Sequence, residues 1–353
     1  MTKAAVLLLA GSMALAACAS DEKNSSGSGS GSSGGSDDLK VGIAYDTGGR
    51  GDKSFNDSAF SGVEKATKDN GGKYTELSPN SDASNRADLL TQLADQGYNP
   101  VIAVGFAYGD VIGDVAEQYP DTQFAIVDSS GLDAESGKPL GSGNVTGLLF
   151  AANEGSFLGG VAAALKTTTN HIGFVGGVET PLIQAFQAGY VAGAKAAKPD
   201  ITVDVEYISP AGDFSGFNDP AKGQIVAQGM YDKGADIVYA AAGGSGIGVF
   251  QAAKASNARA IGVDSDQYQT VGDPTLQPVI MTSVLKRVDN AVEAYINDFV
   301  DGKIKGGSDI LNDLKTDGVG LATSGGFIDD IQAQIKEYAD KIKSGEIKVP
   351  TTP

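Results

Sequence analysis

The chain is organised around one stretch, Val41-Gly-Ile-Ala-Tyr-Asp46-Thr-Gly-Gly-Arg-Gly-Asp-Lys-Ser-Phe55-Asn56. Its pattern predicts a short buried strand, then a glycine-rich loop, then a helix over residues 54–70 with Ser54 as its N-cap. The glycines allow the loop backbone to adopt positive φ angles and to approach a ligand closely. Because ligands of open α/β sheets bind beyond the carboxyl ends of the strands, we interpret this loop as a candidate binding segment.

From Leu39 onward, short apolar runs alternate with longer helical patterns, which is typical of βαβ units on a parallel sheet. We predict strands over residues 41–45, 101–104, 124–127, 145–150, 172–175, 202–208, 237–241, 260–263 and 279–284. We predict helices over residues 54–70, 85–96, 108–118, 154–166, 183–197, 220–233, 246–256, 288–300 and 328–344. This pattern indicates an α/β protein with doubly wound parallel sheets.

Two segments of the chain repeat the same order of features. Residues 93–105 form a helix end, a glycine stop, a strand and a glycine loop, and Asp128-Ser129 follows one helix later. Residues 230–243 repeat this order, and Asp264-Ser265 follows one helix later. Any two βα units resemble each other to some extent, but the matching Asp-Ser endings favour duplication of one module. The repeat therefore predicts two similar lobes whose strand ends face one another.

Three aspartates close apolar strands at their carboxyl ends: Asp46, Asp128 and Asp264. In two facing lobes all three would point into the cleft between them, which is a favoured place for small-ligand sites. The alternative for each aspartate is a helix N-cap or a turn. Three in equivalent places favour a ligand with several hydroxyl or amine donors.

The amino terminus carries the features of a secretory signal. Residues 1–17 contain Lys3, a short apolar run and a small-residue end, directly before Cys18, the only cysteine. We predict removal of residues 1–17 and attachment of a lipid to Cys18, which would place the protein on the outer face of the cell membrane. The alternative is an ordinary signal with an incidental cysteine. Residues 18–38 are rich in serine and glycine, and we interpret them as a tether.

Composition and missing motifs argue against several function classes. The chain has 26 Lys and Arg against 44 Asp and Glu, a net charge of −18, which argues against nucleic-acid binding. A single cysteine excludes a disulfide framework and a cysteine-ligated metal cluster. The single histidine, His171, removes the common histidine-dependent nucleophilic triads and pairs. No phosphate-binding P-loop or dinucleotide fingerprint occurs. We therefore predict no catalytic residues, no metal, no cofactor and no enzyme activity.

The motifs of the body, from about residue 41 to residue 321, closely resemble those of the basic membrane protein family. These proteins are purine-nucleoside-receptor-like lipoproteins that serve ABC importers. The resemblance rests on the opening stretch together with Ala103-Val-Gly-Phe106, Glu154-Gly-Ser-Phe-Leu-Gly-Gly160, Gly173-Phe-Val-Gly-Gly177, Asp219-Pro-Ala-Lys-Gly223, Ala240-Ala-Ala-Gly-Gly244, Gly262-Val-Asp-Ser-Asp-Gln267 and Lys286-Arg-Val-Asp289. It implies a type I periplasmic-binding-protein fold, similar to ribose-binding proteins, that closes on its ligand by a hinge of three crossovers.

The resemblance also implies a set of ligand-binding residues. Two phenylalanines would stack on a nucleobase, two aspartates and an asparagine would bind the base edge, and a glycine, an aspartate and a lysine would bind the ribose. In that order, these residues are Phe55 and Phe186, then Asp46, Asp128 and Asn56, then Gly243, Asp264 and Lys286. The alternative for both phenylalanines is core packing. The segment before Asp219 looks longer than in the family, so either Phe214 or Phe217 could line the cleft.

The predicted function is capture of a nucleoside, above all a purine nucleoside, by a monomeric lipid-anchored receptor that delivers it to the permease of an ABC importer. The predicted first lobe holds residues 39–150 and about 284–310, and the second holds residues 151–281 and about 311–353. Two alternatives remain: a sugar or small-molecule sensor of the same fold, and a nucleoside-cleaving hydrolase.

Overall fold

The computed structural model of the chain describes residues 39–353. The predicted signal segment, the lipid attachment at Cys18 and the tether over residues 18–38 lie outside the described residues. None of the helices between residues 39 and 353 has the length and apolar character needed to cross a membrane.

The described residues alternate strands and helices, as the sequence pattern predicts. The strands are β1 Lys40–Ala44, β2 Lys73–Leu77, β3 Val101–Ala103, β4 Phe124–Val127, β5 Val145–Phe150, β6 His171–Val178, β7 Thr202–Ser209, β8 Ile237–Ala241, β9 Arg259–Asp264, β10 Ile280–Lys286, β11 Ser308–Asn312 and β12 Val319–Leu321. The α-helices are α1 Phe55–Asp69, α2 Arg86–Asp95, α3 Gly109–Gln118, α4 Ala152–Lys166, α5 Pro181–Ala197, α6 Pro220–Asp232, α7 Gly246–Ala255, α8 Gln267–Thr270, α9 Val288–Val300 and α10 Gln332–Lys343.

The strands form two six-stranded sheets with the same topology. The first has the order β11-β5-β4-β3-β1-β2 and the second has the order β12-β10-β9-β8-β6-β7. In the first sheet β1 pairs with β2 and β3, and β4 and β5 follow outward from β3. In the second sheet β6 pairs with β7 and β8, and β9 and β10 follow outward from β8. The sixth strand differs, because β11 is parallel to β5 whereas β12 is antiparallel to β10. The shared order supports duplication of one module.

Each sheet has a hydrophobic core on both faces, which makes it doubly wound. In the first lobe, α1 and α9 cover one face and α2 and α3 cover the other. In the second lobe, α4 and α5 cover one face and α6 and α7 cover the other. The strands in the middle of each sheet are buried on both sides, which explains their continuous apolar runs.

Helices α4 and α5 pack closely because glycines line their contact. A Cβ added to Gly160 would lie 2.0 Å from the carbonyl oxygen of Tyr190, and one added to Gly193 would lie 1.9 Å from that of Phe157. Real Cβ atoms do not approach other atoms so closely, so the two helices can only meet at this distance through glycine. This close packing fixes the position of α5 and of Phe186, which α5 carries.

The chain crosses between the two sheets three times: from β5 to α4, from β10 to α9 and from β11 to β12. Strand β10 belongs to the second sheet up to Lys286, so the second crossing follows Lys286 and lies slightly beyond the boundary near residue 284 that we predict from the sequence. We keep the division into two lobes as a proposal, with the second crossing placed after this residue.

The repeat extends to the backbone conformation at the strand ends. Asp128 directly follows β4 and Asp264 ends β9, and both have left-handed backbones with φ of 66° and 62°. Only a few per cent of residues other than glycine adopt positive φ, although aspartate does so more readily than most. Such strain is often found at functional sites. The two equivalent aspartates are thus turned in the same way at the same edge of each sheet.

Candidate functional site

All eight residues that the family resemblance implicates line one cavity at the carboxyl ends of the strands, between the two lobes. These residues are Asp46, Phe55, Asn56, Asp128, Phe186, Gly243, Asp264 and Lys286. The cavity wall is completed by Thr47, Asp52, Phe106, Leu182, Ile183, Phe217, Ala241, Ala242 and Val263. The structure therefore brings together what the sequence pattern suggests separately; contact with a ligand stays a prediction.

A buried ion pair joins Asp128 of the first lobe to Lys286 at the end of β10. Only 3% of the Asp128 side chain and 4% of the Lys286 side chain are exposed. Burial raises the pKa of the Asp128 carboxyl, and the Lys286 ammonium offsets part of this rise. The second carboxylate oxygen, Oδ1, is buried and has no hydrogen-bond partner among residues 39–353. An oxygen of this kind is suited to accept a hydrogen bond from a bound ligand.

The carboxylate of Asp264 lies against the loop of the opposite lobe. The Ser54 hydroxyl donates to Asp264 Oδ2 over 2.5 Å. Burial raises the pKa of Asp264, and the Lys286 ammonium and the Ser54 hydroxyl act in the opposite direction. Lys286 therefore lies near two buried carboxylates, one from each lobe. The site has more buried acceptors than cations, which suits a ligand rich in hydroxyl or N–H donors.

The prediction that Ser54 caps α1 is wrong in its chemistry. Ser54 occupies the N-cap position, but its side chain makes no hydrogen bond to the helix and instead contacts Asp264. The backbone N–H groups of Ser54, Asn56 and Asp57 donate to the carboxylate of Asp52. Burial raises the pKa of Asp52 to about 6, although these three N–H groups favour its ionised form. Asp52 thus takes over the capping, and the serine hydroxyl donates to Asp264 of the opposite lobe instead.

Asp46 and Asn56 form a connected pair of polar groups. The backbone N–H of Asp46 donates to Asn56 Oδ1 over 3.0 Å, which leaves the Nδ2 group as the donor that Asn56 can offer a ligand. Arg86 Nη2 lies 3.4 Å from Asp46 Oδ1. Burial raises the pKa of the Asp46 carboxyl, while the Thr47 N–H and the Arg86 guanidinium lower it. The pair therefore presents an acceptor and a donor side by side.

The cavity wall contains four phenylalanines: Phe55, Phe106, Phe186 and Phe217. The sequence left open whether Phe186 packs in the core and whether Phe217 lines the cleft. Lys286 Nζ lies 4.3 Å from the ring centroid of Phe55 and 5.9 Å from that of Phe186. Phe186 also belongs to the core of the second lobe, so core packing and a place in the cavity wall hold together for this residue. Phe217, and not Phe214, lines the cavity.

Sequence reasoning missed several residues of the site. Arg86, which contacts the cavity residue Asp46, lies in the first turn of α2, outside the motifs that carry the resemblance. Asp52 lies in the glycine-rich loop of the opening stretch, where no local signal marks it as a residue of the site. Phe106 belongs to the motif Ala103-Val-Gly-Phe106, and its position directly after a strand and a glycine indicates a place at the ligand-binding edge of the sheet. No group of three or more histidine, cysteine or acidic residues within 39–353 has the geometry of a metal site.

Comparison with known proteins gives consistent matches. Residues 39–353 match the family described as ABC transporter substrate-binding protein PnrA-like. The chain is 38% identical over 366 residues to the CD4+ T-cell-stimulating antigen of Listeria innocua, covering 98% of this chain and 97% of that protein. It is 38% identical over 335 residues to the ABC transporter nucleoside-binding protein BmpA of Lactococcus lactis subsp. cremoris, covering 89% of this chain and 90% of that protein.

A solved structure shows the same architecture. It is an ABC transporter solute-binding protein from Aeropyrum pernix K1, with a TM-score of 0.75 and 28% sequence identity. The match covers 89% of this chain and 93% of that chain. The predicted fold of two parallel-sheet α/β lobes is thereby confirmed.

Proposed function

The chain belongs to the PnrA-like family of ABC transporter substrate-binding proteins, and we propose that it captures a nucleoside, above all a purine nucleoside, in the cavity between its lobes. One observation carries the proposal: a single cavity is lined by aromatic rings, by three carboxylates with buried side chains and by one buried lysine. A nucleoside offers a flat base for the rings and hydroxyl or N–H donors for the carboxylates.

Each part of the nucleoside has a counterpart in the wall. The rings of Phe55 and Phe186 would stack on the base, which stabilises binding by about 1–3 kcal/mol per ring. Asp46 and Asn56 would bind the base edge as acceptor and donor, together with the unpartnered oxygen of Asp128. The name of the Lactococcus relative, a nucleoside-binding protein, supports the same ligand class.

The ribose would lie at the other part of the cavity, near Gly243, Asp264 and Lys286. A carboxylate accepts hydrogen bonds from the ribose hydroxyls, and the lysine donates beside it. Lys286 already pairs with Asp128. The ligand hydroxyls and the lysine together would therefore supply hydrogen-bond donors to the carboxylates of both Asp128 and Asp264.

We propose that the ligand is trapped by hinge closure around the three crossings. Polar contacts bridge the lobes beside the cavity: the Ser265 hydroxyl donates to the carbonyl oxygen of Ser54 over 3.1 Å, and Gln267 Nε2 donates to that of Lys53 over 3.0 Å. A ligand that contacts both lobes binds the closed state better than the open one, and this difference in affinity shifts the population toward closure.

A direct binding experiment tests the ligand class. Thermal-shift and calorimetric titrations would compare inosine, guanosine and adenosine with uridine, cytidine, free bases and ribose. Tight binding of the purine nucleosides is expected. Preference for ribose or another sugar would support the sensor alternative, and appearance of free base after incubation would support the hydrolase. The hydrolase is the weaker alternative because the family that matches residues 39–353 is one of ABC transporter substrate-binding proteins.

We expect Phe55→Ala to weaken binding of inosine by about 1–3 kcal/mol, or roughly 5- to 150-fold, through loss of ring stacking. Phe55→Leu is the matched control for packing, because leucine keeps apolar bulk but has no π-face. If stacking is the cause, both variants lose affinity by calorimetry. If leucine restores wild-type affinity, Phe55 contributes packing only.

We also propose that Cys18 carries a lipid and that the protein, on the outer side of the membrane, delivers its ligand to the permease of an ABC importer. Cys18→Ser is expected to move the protein from the membrane fraction to the soluble fraction, since a thiol is needed for lipid attachment. Cell fractionation followed by mass spectrometry of the amino terminus measures this. An unmodified Cys18 in the membrane-bound protein would contradict the proposal.

A further inference from the structure

Phe214 makes a contact between the lobes outside the cavity. It starts the 3-10 turn Phe214–Phe217, which lies between β7 and α6 of the second lobe. Its ring packs against that of Phe106 in the first lobe, with 5.8 Å between centroids. The Cζ atom of Arg86, also in the first lobe, lies 5.0 Å from the Phe214 ring centroid. Phe214 therefore rests on two side chains of the opposite lobe.

Arg86 joins this contact to the ligand cavity. Its Nη2 atom lies 3.4 Å from Asp46 Oδ1 and 3.5 Å from Thr47 Oγ1, and both residues line the cavity. Its Cζ atom also lies 5.8 Å from the ring centroid of Tyr108, a residue of the first lobe. One buried cation thus touches a cavity carboxylate and an aromatic ring of each lobe.

Helix stability does not explain an arginine at this position. Arg86 is the first residue of α2, where the helix dipole disfavours a cation. Its Nη1 donates over 3.1 Å to the carbonyl oxygen of Ala83, whose backbone is left-handed with φ of 52°. An alanine with positive φ is strained, and such strain is kept where the surrounding structure needs one orientation. The strained backbone at Ala83 thus helps to hold the guanidinium between Asp46 and Phe214.

We infer that Arg86 and Phe214 form a latch between the lobes, in which Arg86 positions the Asp46 carboxylate and Phe214 covers Arg86 from the opposite side when the cleft is closed. The inference rests on the proposed nucleoside binding for its ligand and on the contacts above for its geometry. A ligand held at Asp46 is released only after this contact breaks. Phe214 therefore sets the rate of release, and Arg86 sets both the release rate and the state of Asp46.

The two residues are expected to give different results in stopped-flow release of inosine. Phe214→Ala should release inosine about tenfold faster, from loss of the cation–π and ring contacts, with the ligand preference unchanged. Phe214→Tyr keeps the ring and should behave as wild type. Arg86→Gln should also release faster, and the double variant should be no faster than Arg86→Gln alone. Release at the wild-type rate from Phe214→Ala, or strictly additive effects, would overturn the latch.

A pH profile separates positioning from simple packing. Asp46 faces Arg86, Asp128 and Tyr108, so loss of the guanidinium leaves its carboxyl without a nearby cation and raises its pKa. As the pH falls, Arg86→Gln should therefore lose inosine binding at a higher pH than the wild type does. Arg86→Lys should restore the wild-type pH profile. An unchanged acid limb in Arg86→Gln would contradict the positioning role.

The latch can be tested even if inosine does not bind to the wild type, a result that would count against the proposed function alone. Hydrogen–deuterium exchange of the ligand-free full chain is then compared between wild type and Phe214→Ala. Opening of the cleft should raise exchange both at residues 83–90 and at residues 263–270, which contact the first lobe elsewhere. Faster exchange confined to residues 210–217 would show a local contact and overturn the latch.

Discussion

Replacing Lys286 by methionine is expected to lower the free energy of unfolding by about 3–5 kcal/mol at pH 8, because the change removes one partner of a buried ion pair. Lys286 is 3% exposed and pairs with Asp128, and its charge also acts on Asp264. Methionine fills a similar volume, so the loss measures the uncompensated carboxylates and not a cavity. Urea denaturation followed by circular dichroism gives the value.

The destabilisation should depend on pH in a defined direction. Burial already raises the pKa of Asp128 above its ordinary value, and removal of the ammonium raises it further. A carboxyl with a raised pKa in the folded state binds protons more readily there than in the unfolded chain, so its stability contribution is lost as pH rises through the folded value. The deficit of Lys286→Met relative to wild type should therefore be smaller at pH 5 than at pH 8.

A matched control is available on the surface. Lys65 pairs with Glu293 but is 58% exposed, and exposed ion pairs contribute about 0–1 kcal/mol. Lys65→Met should therefore change stability little at either pH. If Lys286→Met cost no more than Lys65→Met, the buried pair with Asp128 would not be balanced by this lysine, and the electrostatic account of the site would be wrong.

The central strands of both sheets were predictable, but three edge strands were not. Strands β1, β3, β4, β8 and β9 are buried on both faces and read as short apolar runs. In contrast, β2 has the sequence Lys-Tyr-Thr-Glu-Leu and β11 has Ser-Asp-Ile-Leu-Asn, and neither edge strand contains a fully buried residue. An edge strand needs no continuous apolar run, and β12 has only three residues. Their pairing depends on the neighbouring strand and leaves little trace in the local sequence.

The candidate site was predictable where it follows from strand ends, and not where it depends on contact across the cleft. Asp128 and Asp264 end equivalent strands, so the repeat alone located them. The Ser54 hydroxyl contacts a carboxylate 210 residues further along the chain, and Arg86 reaches Asp46 across 40 residues. The first contact is set by how the two lobes approach each other and the second by how α2 packs beside β1 within the first lobe, and no local pattern encodes either. For that reason the serine looked like a helix cap.

The proposed ribose site makes a second strong prediction, that Asp264→Asn weakens inosine binding about 100-fold. Asparagine keeps the shape of the side chain and tolerates the left-handed backbone at this position, with φ of 62°. It removes the negative charge, and a hydrogen bond to a charged group contributes about 1.5–3 kcal/mol. Calorimetric titration measures the loss. The folded state should be at least as stable as wild type, because a buried charge with a raised pKa is removed.

The ligand itself supplies the matching test of this role. If Asp264 accepts hydrogen bonds from the ribose hydroxyls, 2′,3′-dideoxyinosine lacks the donors and should bind wild type and Asp264→Asn with similar affinity. Asp266→Asn is the control variant, because Asp266 lies two residues away, accepts a hydrogen bond from the Ser324 hydroxyl and does not line the cavity. Equal loss of inosine and dideoxyinosine affinity in Asp264→Asn would assign the effect to the bridge with Ser54 and not to the ribose. The two ligands together thus separate sugar recognition from closure of the lobes.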